Sequence, residues 1–124
     1  MAGEIEAIEK VVWTYLDGLY EGDTRKLAEA FHEESHLYSL ANGGLADLPR
    51  DEWLNYVKGR PSAKAKGLQR TDRIVSIDLS GAETAFVKLE CSIHPRYFTD
   101  YLTLLKLQDG WRVVSKTFRT EVRS

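Results

Sequence analysis

The stretch Phe98-Thr-Asp-Tyr-Leu-Thr-Leu-Leu-Lys-Leu-Gln-Asp-Gly-Trp-Arg-Val-Val-Ser-Lys-Thr-Phe118 decides the fold of this 124-residue chain. Two apolar, strand-like runs meet at Asp109-Gly110, and an Asp-Gly pair between such runs is the strongest short-range signal for a β-hairpin. Asp100, Lys106 and Lys116 lie inside these runs. Because a charge in an apolar strand needs solvent or a partner, we predict that the hairpin forms the centre of a sheet and one wall of a pocket.

The strand pattern extends back from this hairpin to residue 68. Residues 68–79 and 84–94 are predicted as two strands that are joined by a turn at Ser80-Gly81. Apolar and polar side chains alternate along residues 84–94, which is typical of an antiparallel sheet with one face in water. Residues 68–122 therefore predict a four-strand meander.

The N-terminal half is predicted to supply helices. Residues 4–21 carry apolar side chains at three- and four-residue spacing, which indicates an amphipathic helix. Asp23 is the predicted cap of a second helix over residues 24–31, and Pro49 starts a third after a short hairpin at residues 36–48. Residues 59–67 are the predicted loop. The pattern predicts one α+β domain, residues 1–124, with helices packed on one face of an antiparallel sheet.

Composition limits the function classes. Apolar residues make up 43% and the net charge is −2, which is ordinary for a soluble globular protein, and no basic cluster is present. We therefore expect neither nucleic acid nor a membrane as a partner. The N-terminus lacks the apolar core of a signal peptide and the chain has one cysteine, Cys91, so we predict a cytoplasmic location.

Several short motifs together resemble the NTF2-like superfamily, and within it the branch labelled lumazine-binding or SnoaL-like. The resemblance implies a cone-shaped, cystatin-like α+β barrel with an open mouth. Three N-terminal helices would pack on a curved antiparallel sheet, and two copies would form a homodimer through the outer sheet face. The matching motifs are Val11-Val-x-x-Tyr15, Gly22-Asp23, Phe31-His32, Phe98-Thr-Asp100-Tyr-Leu-Thr-Leu, Gly110-Trp111 and Lys116.

The superfamily includes isomerases, dehydratases, cyclases and proteins that only bind, so the resemblance leaves the function open. The spacing from Tyr15 to Asp23 is similar to that of the ketosteroid-isomerase branch, whose tyrosine donates to a developing oxyanion. Ser39 stands where that branch carries its carboxylate base. The resemblance also points His32 toward the cavity, where it is a candidate general base. The alternative for His32 is a favourable interaction with the helix C-terminus.

Asp100 alternates with Phe98, Leu102 and Leu104 and is therefore predicted to share their face. If that face is the concave one, the carboxylate is buried and needs a partner. Its partner is either Lys116 on the adjacent strand or His32 from the helices. The first pairing would be a structural ion pair, and the second an acid/base site across a cavity.

The aromatic residues Tyr38, Trp53 and Phe98 are the predicted ligand-binding residues, together with Lys116. Residues 32–36 match the H-E-x-x-H zinc motif, but that motif needs both histidines on one helical face, and a strand is predicted from His36. No metal site is predicted. The scattered arginines are predicted to lie on solvated strand faces; they are Arg70, Arg73, Arg96 and Arg112.

These features predict a cofactor-free domain that binds a small, largely apolar or cyclic molecule of unidentified structure. If the protein is an enzyme, His32 and Asp100 would transfer protons in an isomerisation or dehydration, and Tyr15 or Lys116 would stabilise charge. The alternative is a non-catalytic homodimer with a cavity filled by side chains. An open cavity of about 300 Å³ or more would favour binding. The alternative would use the outer sheet face, with Tyr101, Leu105, Leu107 and Val114.

Overall fold

The computed structural model of the protein describes residues 2–124, and these residues form three helices and six strands. The elements in chain order are α1 (Ala2–Glu21), α2 (Thr24–Ala30), β1 (Phe31–Ala41), β2 (Gly44–Pro49), α3 (Arg50–Lys58), β3 (Arg73–Ser80), β4 (Thr84–Ile93), β5 (Arg96–Leu107) and β6 (Gly110–Val122). The fold is α+β, as predicted.

All six strands form one open sheet in the order β2-β1-β6-β5-β4-β3. The predicted meander β3–β6 is antiparallel throughout, but β1 pairs with β6 in parallel, so the sheet is mixed. The expectation of an antiparallel sheet is therefore wrong for the β1–β6 pair. The expectation of a closed barrel is also wrong, because β2 and β3 are the edge strands of an open sheet. A tight turn makes the two strands of a hairpin antiparallel. No turn joins β1 to β6, so their relative direction depends on where α2 ends in the fold.

The predicted helices form with shifted ends. The Asp23 carboxylate caps α2 by accepting hydrogen bonds from the N–H groups of Arg25 at 3.0 Å and Lys26 at 3.3 Å. The φ angle of Gly22 is +69°, a conformation that glycine adopts without the strain of a side chain. Helix α2 ends at Ala30 because Phe31 has already extended backbone angles and begins β1.

Two strand predictions had wrong boundaries. Strand β1 begins at residue 31 rather than 36, and its register with β6 is irregular between Phe31 and His36. Strand β3 begins at residue 73 rather than 68. The intervening segment is held by side chains instead of a ladder, since Arg70 forms ion pairs with Asp17 at 2.9 Å and Asp72 at 2.6 Å.

The core lies between α1 and the inner face of the sheet. Leu89, Leu102, Leu104 and Val113 on neighbouring strands are all 0% exposed. On the outer face, Phe86, Tyr101 and other apolar side chains remain partly exposed. In the part of the chain that the structure describes, no helix is long and apolar enough to cross a bilayer.

The β5–β6 hairpin is attached to the start of α1 through Glu4. Its carboxylate accepts hydrogen bonds from Lys106 Nζ at 2.6 Å and from Trp111 Nε1 at 2.9 Å. The charge of Lys106 is therefore balanced at the surface by Glu4 of α1. Two further charged residues of the hairpin, Asp100 and Lys116, are buried.

Replacing Leu104, which is 0% exposed, by alanine is expected to lower the free energy of unfolding by about 2–5 kcal/mol, because the substitution leaves a cavity in the core. Leu40→Ala is the matched control, since Leu40 also lies in a strand but is 80% exposed, and its effect should be within about 0.5 kcal/mol. Urea unfolding measures both values. Equal losses for the two variants would contradict the assigned inner face of β5.

Candidate functional site

Three polar side chains meet in the core between α1 and the sheet. The Tyr15 hydroxyl donates a hydrogen bond to Asp100 Oδ2 at 2.5 Å. Lys116 Nζ donates to the same hydroxyl at 2.8 Å and lies 3.7 Å from Asp100 Oδ2. Tyr15 thus connects the two buried charges, and we refer to Tyr15, Asp100 and Lys116 as the polar triad.

The alternation of β-strands places two members of the polar triad on the inner face. Asp100 pairs with Phe118 across β5 and β6, and Lys116 pairs with Leu102 two residues further along. Residues that are two apart on a strand point to the same face, so both charges face α1. Tyr15 reaches them because it lies within the buried stripe of α1.

The electrostatics of the polar triad follow from its burial. The carboxylate and the ammonium balance each other in charge, as a buried ion pair requires. Within residues 2–124, Asp100 Oδ1 is buried without a hydrogen-bond partner, so the contacts of Asp100 Oδ2 carry the stabilisation of this carboxylate. Burial and the negative charge of Asp100 raise the pKa of Tyr15 well above its usual value, which keeps the hydroxyl protonated as a donor.

Aromatic rings surround the ammonium group of Lys116. Nζ lies 4.8 Å from the ring centroid of Phe118, 5.1 Å from that of Tyr15 and 5.2 Å from that of Trp53. At such distances ring faces attract a cation. Trp53 is held in turn by Phe31, at 4.9 Å between ring centroids. The position of the ammonium is therefore set by one hydrogen bond, one carboxylate and three rings.

A cavity of about 380 Å³ opens beside Lys116, between α1, α3 and the strands β5 and β6. Most of its wall is apolar. Three cationic side chains also line it: Lys116, which is buried, and Arg60 and Arg96, which are exposed. The remaining lining residues are Leu19, Leu48, Trp53, Tyr56, Ile93, Phe98, Phe118 and Thr120.

The structure brings most of the predicted site residues to this region. Trp53, Phe98 and Lys116 line the cavity. Tyr15 and Asp100 are 0% exposed and are not among its lining residues, so they reach a bound molecule only through Lys116. Asp100 pairs with Lys116, which is one of the two alternatives that the sequence left open.

His32 lies elsewhere, and the expected pair of His32 with Asp100 does not form. Phe31 beside it pairs with Val113, while Asp100 pairs with Phe118, so roughly 16 Å of β6 separates the two positions. His32 lines a charged surface depression with Arg112 and the β5–β6 turn. Its Nδ1 accepts a hydrogen bond from the Glu34 N–H at 3.0 Å. His32 lies away from the cavity because β1 begins at Phe31, so His32 belongs to a strand and not to the end of α2.

Tyr38 is also outside the cavity. It pairs with Thr117 on β6, one residue from the pairing of Leu37 with Lys116, and adjacent strand residues point to opposite faces. Because Lys116 faces the cavity, Tyr38 lies on the outer face, where it stacks on His36 at 5.9 Å. His32 and His36 both belong to β1, so the helical geometry of the zinc motif is lost.

Sequence reasoning missed several residues that line the cavity. Phe118 could have been found, because it follows Lys116 by two residues on the same strand. Arg96 was assigned to a solvated face, although it stands two residues before Phe98 at the start of β5. Arg60 lies in the loop after α3, where no periodicity indicates the direction of a side chain.

The raised pKa of Tyr15 predicts an alkaline effect on stability. The protonated hydroxyl stabilises the folded state fully below the pKa of an unfolded tyrosine, near 10.0, and this contribution is lost as the pH rises above that value. Above pH 10 the free energy of unfolding of the unsubstituted protein should therefore fall more steeply than that of Tyr15→Phe, by up to about 1.4 kcal/mol per pH unit. Urea unfolding from pH 8 to 11 measures this difference. Tyr101→Phe, at a partly exposed tyrosine, should keep the original slope.

The buried ion pair predicts strong coupling between Asp100 and Lys116. Either Asp100→Asn or Lys116→Met alone should cost about 3–5 kcal/mol of unfolding free energy, because each leaves one charge buried without its partner. The double variant should cost less than the sum of the two, by about 1–3 kcal/mol. The exposed pair Arg73 and Glu90, 3.2 Å apart, is the control cycle and should couple by less than about 1 kcal/mol. Equal coupling in both cycles would contradict the buried pair.

Comparisons with known proteins agree with this fold. An NTF2-like protein of unknown function from Shewanella baltica is 25% identical, with a TM-score of 0.86, covering 98% of this chain and 97% of that one. A second NTF2-like protein, from Silicibacter pomeroyi, is 25% identical with a TM-score of 0.85, covering 97% and 98% of the two chains. An aldolase from Cladobotryum sp, FrzH, is 21% identical over 124 residues, which are 98% of this chain and 95% of the aldolase.

Residues 3–119 match the family model that is described as "Putative lumazine-binding". This match spans both the helices and the sheet, and it includes every member of the polar triad. The chain therefore belongs to this family, within the NTF2-like superfamily.

Proposed function

We propose that this protein binds a small cyclic molecule in the 380 Å³ cavity and that Lys116 holds an oxygen atom of that molecule. The position of Lys116 carries the proposal. One side of its ammonium group is bound to Tyr15 and Asp100, while the same side chain lines the cavity. An ammonium group has three donor hydrogens, so donors remain for a ligand.

The wall of the cavity supports a ligand with an apolar body. Aromatic and aliphatic side chains form most of it, and a few polar groups converge on it, which is the usual composition of a small-molecule site. The volume exceeds the lower limit of about 300 Å³ for such sites. Trp53 and Tyr15 pack beside the cavity without filling it, which favours binding over the alternative of a scaffold with a plugged interior.

The site also supports catalysis on a carbonyl compound. If a carbonyl oxygen accepts a hydrogen bond from Lys116, the fixed positive charge stabilises the negative charge that develops there when a bond at the neighbouring carbon breaks. Isomerisation, dehydration and aldol cleavage all develop charge in this way. The name of the FrzH relative makes aldol cleavage the first of these reactions to assay.

The members of the polar triad have different roles in this proposal. Lys116 would be the catalytic residue, because it lines the cavity. Tyr15 and Asp100, both 0% exposed, would be positioning residues that fix the ammonium and balance its charge. His32 has no role here, since it lies in the depression beside the β5–β6 turn.

The proposal is tested by a thermal-shift screen with cyclic and aromatic carbonyl compounds, including a pteridine because of the family description. A compound that binds only the native state must raise the melting temperature. Lys116→Met should weaken the binding of each active compound by roughly 10- to 100-fold, because a hydrogen bond from a charged group is lost. Lys88→Met is the control, since Lys88 lies over the Tyr101 ring on the outer face.

Turnover of each compound that binds is then measured by mass spectrometry. Binding that is equally strong in Lys116→Met would refute the role of the ammonium. Borohydride treatment during turnover separates two mechanisms. Reductive attachment of the substrate to Lys116 would show a covalent imine and contradict the purely electrostatic role.

A further inference from the structure

We propose that the ligand of this cavity is an acid, and that Arg60 and Arg96 at the mouth bind its carboxylate. This inference rests on the proposed binding function and adds the chemical class of the ligand. The two arginines line the same cavity as Lys116. Because Arg60 and Arg96 are exposed and Lys116 is buried, the arginines mark the mouth and the lysine marks the floor.

The first support is that neither guanidinium group has an anionic partner. Arg60 and Arg96 form no ion pair with any of residues 2–124. Five of the other seven arginines are neutralised by nearby carboxylates within these residues, the exceptions being Arg25 and Arg119. The pairs are Arg50 with Asp51, Arg70 with Asp17 and Asp72, Arg73 with Glu90, Arg112 with Asp109, and Arg123 with Glu121. The arginines at the cavity mouth are therefore available to a ligand.

The second support is that the two guanidinium groups act on each other. Both arginines line the same cavity. Partial loss of hydration and the nearby positive charge of Arg96 lower the pKa of Arg60, as expected for two like charges in one cavity. An anion placed between them would relieve this repulsion. Guanidinium groups also present paired N–H donors that match the two oxygens of a carboxylate.

The third support is the charge of the cavity as a whole. No carboxylate is among its lining residues, and the positive charge of Lys116 is already balanced by Asp100 behind it. The uncompensated charge is therefore located at the mouth. A neutral ligand would leave both arginines without a partner, whereas an acid would neutralise one of the two charges and accept hydrogen bonds from both groups.

The position of the arginines also limits the shape of the ligand. Arg96 and Asp100 lie four residues apart on one face of β5, a distance of about 13 Å along the strand. Phe98 stands between them and lines the cavity. A flat ring system lying against Phe98, with its carboxylate at the mouth and an oxygen near Lys116, fits this arrangement.

The test uses matched probes that differ in charge and little in shape and that carry an oxygen at the far end of the ring: 6-hydroxy-2-naphthylacetate and 6-hydroxy-2-naphthylacetamide. Binding is measured by thermal shift and by calorimetry at low and high salt. The acid should bind the unsubstituted protein at least tenfold more tightly than the amide, and its affinity should fall as salt screens the charges. Arg60→Gln and Arg96→Gln should each reduce the affinity for the acid roughly tenfold and leave the affinity for the amide unchanged.

Arg25→Gln is the matched control, because Arg25 is exposed on α2, also lacks an ion pair within residues 2–124, and does not line the cavity. It should bind both probes as the unsubstituted protein does. Arg96→Lys keeps the charge but loses the paired donors, so it should restore only part of the affinity for the acid.

The outcomes separate this inference from the proposed function. If acid and amide bind equally well and Lys116→Met weakens both, the cavity binds ligands but the preference for acids is refuted. If neither probe binds, and no carboxylic acid in the carbonyl screen raises the melting temperature more than its amide or ester does, the inference is overturned. If no compound of that screen binds at all, the proposed function fails as well.

Discussion

The buried carboxylate of Asp100 is the constraint on which the interior of this protein depends. Moving a carboxylate out of water is unfavourable unless hydrogen bonds and an opposite charge replace its hydration. Here Tyr15 from α1 and Lys116 from β6 supply both, at 2.5 Å and 3.7 Å from Oδ2. The polar triad thus connects the first helix to both strands of the β5–β6 hairpin, across about 100 residues of chain.

The same constraint shapes the cavity. Because Asp100 and Tyr15 hold the lysine from one side, its ammonium group stays at the inner end of the cavity instead of extending to solvent. Phe118 and Trp53 surround the cation and also form part of the cavity wall. The floor is consequently polar but close to neutral, and the net positive charge lies at the mouth. This separation of charge follows from the burial of one aspartate.

Local patterns in the sequence predicted a large part of this structure. The Asp109-Gly110 turn, the apolar stripe of α1 and the cap at Asp23 all depend on residues that are close in the chain. The alternation around Asp100 predicted that it shares a face with Leu102 and Leu104, and the structure shows all three buried on the inner face. Its partner could not be chosen between Lys116 and His32, because that choice depends on the registers of β1 and β6, which no turn connects.

The sequence by itself thus determined the hairpin, the helices and the inward charges of β5 and β6, because periodicity and turn chemistry act over a few residues. Only the tertiary structure decided that β1 runs parallel to β6, that His32 and Tyr38 lie outside the cavity, and that Arg60 and Arg96 both line it. A one-residue change in where β1 begins reverses which side chains face inward. The direction of a loop side chain such as Arg60 is set by the elements that pack around it, and these come from distant parts of the chain.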